Sequence, residues 1–175
     1  MTARRGLTSV ETSGSAALDH DAVPAPARGG LDAISRSIIE QLQQDGRRSY
    51  AAIGKAVGLS EAAVRQRVQR LTDSGVMQIV AVTDPMQVGF TRAAMIGIGV
   101  RGDLQRAVEA VEAIPAVTYA IVTAGQYDLL AEVVCEDDEH LLGVLSDIRQ
   151  IPDVTKTETF VYLKVRKQTY SWGTR

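Results

Sequence analysis

A glycine turn, Val57-Gly58-Leu59-Ser60, joins two short amphipathic helical patterns, and an Ile-Pro-x-Val motif at Ile114 returns thirty-seven residues later at Ile151. Together they predict an α+β chain in two parts. The first part is a winged helix-turn-helix, and the second is a ferredoxin-like βαββαβ sandwich.

The first module begins at Leu31. Leu31, Ile34, Ile38, Ile39 and Leu42 repeat with helical spacing, Asp32 stands where an N-cap belongs, and Asp45-Gly46 ends the run. A second helix follows Ser49-Tyr50. Gly58 occupies the C-cap position that favours left-handed dihedrals, and the Ser60 hydroxyl is placed to cap the next helix. On that third helix Val64, Val68 and Leu71 recur as a buried stripe, so Arg65, Gln66, Arg67, Gln69 and Arg70 lie off it. Arginine and glutamine hydrogen-bond phosphates and read guanine and adenine edges bidentately. A helix of this composition behind a glycine turn points to double-stranded DNA, with Ser49, Tyr50, Ser60, Glu61, Ala62, Arg65, Gln66, Arg67, Gln69 and Arg70 as candidate contacts. The plainer reading, a merely solvated charged face, leaves the preceding helix and turn without a purpose. Val76 to Val82 is rich in β-formers and stops at Asp84-Pro85, which predicts a wing strand.

The second module reads as β-α-β twice. Strand patterns cover about 91–101, 117–124, 127–135 and 154–166. Leu104, Ala107, Val108, Val111 and Ile114 make one helical stripe, and Leu141, Leu142, Leu145 and Ile148 make the other. Two helices cover one side of a four-stranded antiparallel sheet. Yet Ile96, Ile98 and Val100 alternate with Met95, Gly97 and Gly99, and Thr159, Val161 and Leu163 alternate with Phe160 and Tyr162. Both faces therefore carry apolar residues, and a partner subunit is the simplest cover for the second. A homodimer also suits a helix-turn-helix that reads paired half-sites.

Composition sets the frame. The chain has 175 residues, 45% of them hydrophobic and 23% charged, with a net charge of -2. Those values fit a soluble protein of two small domains. Residues 31–75 hold seven basic and five acidic residues, whereas 76–175 hold nine and thirteen. A mildly basic head on an acidic body suits one end docking on DNA. Residues 1–30, rich in Gly, Ala, Ser, Thr and Pro, read as a tail. Arg4-Arg5 is followed by polar residues, so no export signal is expected there, and no run approaches the ~20 apolar residues of a membrane span. The single cysteine, Cys135, fits a reducing cytoplasm, where a DNA-binding protein is expected at the nucleoid. The expected boundaries are a tail over 1–30, the DNA-binding module over 31–84, a linker over 85–90, the sandwich over 91–167 and a C-terminal tail over 168–175.

Several motifs carry less than their letters suggest. Gly97-Ile98-Gly99-Val100-Arg101-Gly102 spells the dinucleotide fingerprint but falls inside a strand and lacks the later acidic residue. Cys135 has no partner cysteine, and His20 in the tail and His140 after an acidic run are expected to make neither a zinc site nor a Ser-His-Asp set. Glu136-Asp137-Asp138-Glu139 reads as the start of a helix, where carboxylates meet the positive dipole end. No cofactor and no catalytic constellation are expected.

The residues resemble the Lrp/AsnC family of bacterial and archaeal amino-acid-responsive regulators. The likeness is carried by Leu31-Asp32, Gly46-Arg47, Gly58-Leu59-Ser60, Val64-x-x-Arg67-Val68-x-Arg70-Leu71, Gly75-Val76, and Asp84-Pro85 followed by Gly89. Ser35 departs from it, since the family commonly has a second acidic residue in its first helix; this is expected to alter capping more than DNA reading. The resemblance spans roughly residues 31–167. It implies a sequence-specific transcription regulator, not an enzyme, whose dimers often assemble further, commonly into octamers, and whose operator binding responds to an amino acid held between subunits.

A loop of the Gly-x-x-Asp kind helps line that amino-acid site in the family. Here the loop Thr123-Ala124-Gly125-Gln126-Tyr127-Asp128 offers free amides, a hydroxyl and a carboxylate, and Thr157 and Thr159 on the last strand are the weaker candidates. Two readings of the loop stay open: an effector site, or a tight hairpin with Asp128 solvated at a strand end. The alternative function is an architectural nucleoid protein with little sequence preference.

Overall fold

In the computed structural model, which describes residues 30–175, the chain forms two compact units. One comprises residues 30–79 with Tyr170–Arg175, and the other comprises Val80–Thr169. Apart from Gly30, the segment read as an N-terminal tail lies outside the described residues, His20 and Arg4-Arg5 included.

The first unit holds α1 (Ala33–Gln44), α2 (Tyr50–Val57) and α3 (Glu61–Asp73). Each starts on a side-chain cap, with Asp32, Ser49 and Ser60 accepting from the amides of Ser35, Ala52 and Ala63. Gly58 ends α2 at φ 73°, in the left-handed region that a side chain disfavours. Ile38, Leu42, Ile53, Val64 and Val68 enclose the core, with Ile34, Tyr50, Val57, Leu59 and Met77 packed at its edge. The expected wing strand over Val76 to Val82 is not formed. Met77 donates to Leu71 O, and beyond it Ile79, Val80 and Val82 are exposed with no ladder partner. An apolar run becomes a strand only beside an edge that pairs with it, and the described chain supplies none. Residues at the C-terminus, read as a tail, rejoin this unit: Gly173 N donates to Gln43 Oε1 at 3.1 Å, and the Thr174 hydroxyl to Glu40 Oε1 at 2.6 Å.

A 3-10 turn, Pro85–Gln87, precedes the second unit's β1 (Arg92–Val100), α4 (Leu104–Glu112), β2 (Val117–Val122), β3 (Leu129–Cys135), α5 (Asp138–Gln150) and β4 (Val154–Val161). The sheet order is β2-β3-β1-β4, antiparallel throughout, which is the expected sandwich. The repeated motif serves one purpose twice: Val117 N donates to Ile114 O at 2.9 Å and Val154 N to Ile151 O at 3.2 Å, so each copy turns a helix into the next strand. Asp137 caps α5 and Asp138 and Glu139 follow in its first turn, which accounts for the acidic run.

Alternation divides the sheet's faces. Ala94, Ile96, Ile98, Leu129, Ala131, Val133 and Cys135 are buried with Val108, Val111, Leu141, Val144 and Ile148 of the helices. The opposite face shows Met95, Gly97, Tyr119, Leu130, Glu132, Glu158 and Phe160, with Tyr119 53% and Phe160 46% exposed. Burial raises the Cys135 thiol pKa, helped by the nearby Asp137 charge, so the thiol is held neutral.

Candidate nucleic-acid interface and effector loop

The turn before α3 is closed by backbone. Leu59 N donates to Gly54 O at 2.9 Å, and Ser60 Oγ then accepts from Ala63 N at 3.2 Å. Val64, Val68 and Leu71 face the core. On the outer side Ala62, Arg65, Gln66, Gln69 and Arg70 line one shallow groove along the helix. Local contacts hold two of these side chains. Arg65 pairs with Glu61 at 2.8 Å and lies 5.4 Å from the Tyr50 ring centroid, and Gln69 Nε2 donates to Asp73 Oδ1 at 2.7 Å. Ser49 and Ser60 use their oxygens as caps, which leaves each O–H free to donate.

Arg67 does not join that groove. Its Nη1 donates to Asp32 Oδ2 at 2.6 Å and to Ser35 Oγ at 3.2 Å, and its side chain is 27% exposed. The hydrogen bond from Arg67 and that from the Ser35 amide lower the Asp32 pKa to about 2. The Ser35 hydroxyl thus joins Asp32 in holding Arg67 of α3, while the Asp32 carboxylate caps α1, as its position in the sequence predicts.

In the second unit, Thr123 N donates to Asp128 O at 2.9 Å and the Thr123 hydroxyl to Tyr127 O at 2.6 Å, closing a hairpin whose tip, Ala124, Gly125 and Gln126, is exposed. Asp128 is half-buried rather than solvated. Its N–H donates to Ile98 O at 3.0 Å, and its Oδ2 accepts from Val100 N at 2.7 Å, so the carboxylate stitches the loop to the end of β1. Tyr127 lies on the open face over Gly97, where a Cβ would stand 2.7 Å from the ring. Its hydroxyl bonds the Glu158 carboxylate, Lys156 Nζ sits 4.9 Å from the ring centroid, and Phe160 meets it edge-on at 6.4 Å.

Thr157 and Thr159 are on the other side of the sheet. They pair with Ile98 and Ile96, which face the helices, and Arg149 Nε donates to Thr157 Oγ1 at 3.0 Å. The structure thus gathers residues 123–128 and separates the two threonines from them. Lys156 and Glu158, which alternate with Thr157 and Thr159 along β4, are instead the polar neighbours of Tyr127, and the sequence alone does not single them out.

A capped, Arg/Gln-faced helix behind a glycine turn, carried on a chain whose other unit is a split β-α-β sandwich, defines a two-domain DNA-binding regulator. Residues 31–72 match the AsnC-type helix-turn-helix domain, and residues 93–172 match the Lrp/AsnC ligand binding domain. The HTH-type transcriptional regulator FL11 of Pyrococcus furiosus is 34% identical over 144 residues, covering 81% of this chain and 95% of that protein. The solved structure of Escherichia coli AsnC superposes with a TM-score of 0.70 at 27% identity, covering 81% of this chain and 98% of that one. Mycobacterium tuberculosis LrpA superposes at 0.72 with 28% identity, covering 79% and 96%. The chain belongs to the Lrp/AsnC family of transcription regulators. The matched domains and relatives are regulators, not enzymes.

Proposed function

We propose that this protein is a cytoplasmic, sequence-specific transcription regulator whose operator binding is modulated by an amino acid held at subunit interfaces of its C-terminal domain. The observation that carries the DNA-reading half is the groove of Ala62, Arg65, Gln66, Gln69 and Arg70, presented on one exposed side of a helix whose other side is core. Guanidinium and amide groups at that spacing reach phosphates and base edges in a major groove. Ser49, Tyr50, Ser60 and Glu61 flank the groove and supply further phosphate contacts or hold Arg65 ready.

The effector half rests on the 123–128 hairpin. Its exposed tip offers amides to a carboxylate, and Asp128 offers an acceptor to an ammonium group. The open sheet face, with Tyr119 and Phe160 half exposed, is the surface a second subunit covers. An amino acid that favours one assembly geometry shifts the population toward it and changes the spacing of the recognition helices.

Retention of fragmented source DNA by the purified protein, with and without an amino-acid mixture, tests both halves. Enrichment of a few upstream regions that changes with amino acids is the expected result. Uniform retention would instead establish an architectural DNA-binding protein.

A further inference from the structure

We infer that Arg67 is a positioning residue: its bond to Asp32 and Ser35 of the first helix fixes the rotation at which α3 presents its reading side chains, and it does not itself contact DNA. This rests on α3 being the recognition helix. Among the described residues, Arg67 is the one arginine of α3 tied to another helix by an ion pair; Arg65 pairs within α3, and Arg70 makes none.

The geometry shows why such a tie matters. Apolar packing of Ile38 and Leu42 with Val64 and Val68 holds the helices together but is non-directional. A charge-assisted hydrogen bond has a preferred direction and adds the rotational constraint that packing lacks. Asp32 is itself fixed before it receives Arg67, because its Oδ1 accepts from Ser35 N at 2.6 Å as the cap of α1 while Oδ2 takes the guanidinium. The start of α1 and the middle of α3, thirty-five residues apart, are thereby locked through one carboxylate.

Electrostatics separate this role from DNA contact. A guanidinium already neutralised by Asp32 releases no counterions when DNA binds, whereas an arginine that meets a phosphate contributes about 0.9 to the slope of log K against log salt. Positioning therefore predicts lost sequence discrimination with an unchanged slope.

The test uses the full chain, with the duplex that the wild type selects from a randomised pool and a scrambled duplex of equal composition. Affinities are measured from about 50 to 200 mM salt, at a temperature where circular dichroism shows every variant folded. Arg67→Met keeps the apolar stem; Asp32→Asn keeps the cap oxygen and removes the charge; Arg70→Ala is the phosphate-contact control. Arg67→Met and Asp32→Asn are each expected to lower the ratio of selected to scrambled affinity at least about fivefold, the low end for one misaligned bidentate contact, with the wild-type slope retained. A slope reduced in Arg67→Met as in Arg70→Ala would overturn the inference, as would tighter binding by Asp32→Asn or a preserved ratio in Arg67→Met. Arg70→Ala with wild-type affinity and slope would instead remove α3 as the recognition helix, and the inference with it.

Discussion

The carbonyl oxygen of Leu59 lies 2.5 Å from where a Cβ on Gly54 would stand, while the Leu59 amide donates back to Gly54 O. That approach seats the turn against α2 and sets where α3 begins. Gly54→Ala forces backbone against backbone and is expected to cost about 1–3 kcal/mol of stability. Urea unfolding of the two proteins checks it; an unchanged midpoint would mean that the turn opens without strain.

Substitutions at Ser60 separate capping from the proposed DNA contact. Ser60→Ala removes the oxygen that receives Ala63 N and should cost about 1 kcal/mol. Ser60→Asp restores the cap but, with Ser60 a phosphate contact as proposed, sets a carboxylate beside the DNA backbone, so thermal stability should recover while DNA affinity falls below that of the wild type. Recovery of both would show that the Ser60 hydroxyl does not face the backbone of bound DNA.

How much of this was legible in the sequence follows from the range of each interaction. The Asp32, Ser60 and Gly58 caps, the Val64/Val68/Leu71 stripe and the doubled Ile-Pro-x-Val motif are local, fixed by residues a few positions apart, and each was readable. Arg67 lies off the apolar stripe on the helical pattern, yet its partner is thirty-five residues upstream, where periodicity says nothing. The two faces of β4 alternate plainly, but which face meets the helices is decided by pairing with β1, so nothing local in the sequence separates Thr157 and Thr159 from a loop that lies across the sheet. The Val76–Val82 run is a good strand by composition; a strand needs an edge, and composition carries no information about edges.

Asp128 needs a substitution chosen for its structural bond. Asp128→Ala also strips the acceptor of Val100 N, so a lost amino-acid response would be confounded with a loosened sheet end. Asp128→Asn keeps an oxygen there and removes the charge that an ammonium group would meet. Near-normal DNA binding without amino acids, together with a lost response to them, is expected in gel-shift titrations. A full response would take Asp128 out of the site.

Acid titration reports on Asp32. Its pKa falls from 3.8 to about 2 on folding, so the pair's contribution is fully present above pH 3.8 and is lost as pH drops through about 2. Across neutral pH the contribution is flat. Asp32→Asn should remove this part of the acid limb, read as thermal midpoints at stepped pH, and an acid limb identical to the parent's would assign it to other carboxylates.

The ring of Tyr127 rests over Gly97 on the very face that a second copy would cover, while its backbone belongs to the 123–128 hairpin. One side chain thus answers both to whatever occupies the loop and to whatever occupies the sheet. If the loop takes an amino acid and the face a second subunit, as proposed, subunit association and loop occupancy become linked equilibria. The concentration of amino acid needed for half response should consequently move with the total concentration of the protein, making cellular abundance itself a setting of the sensor's threshold.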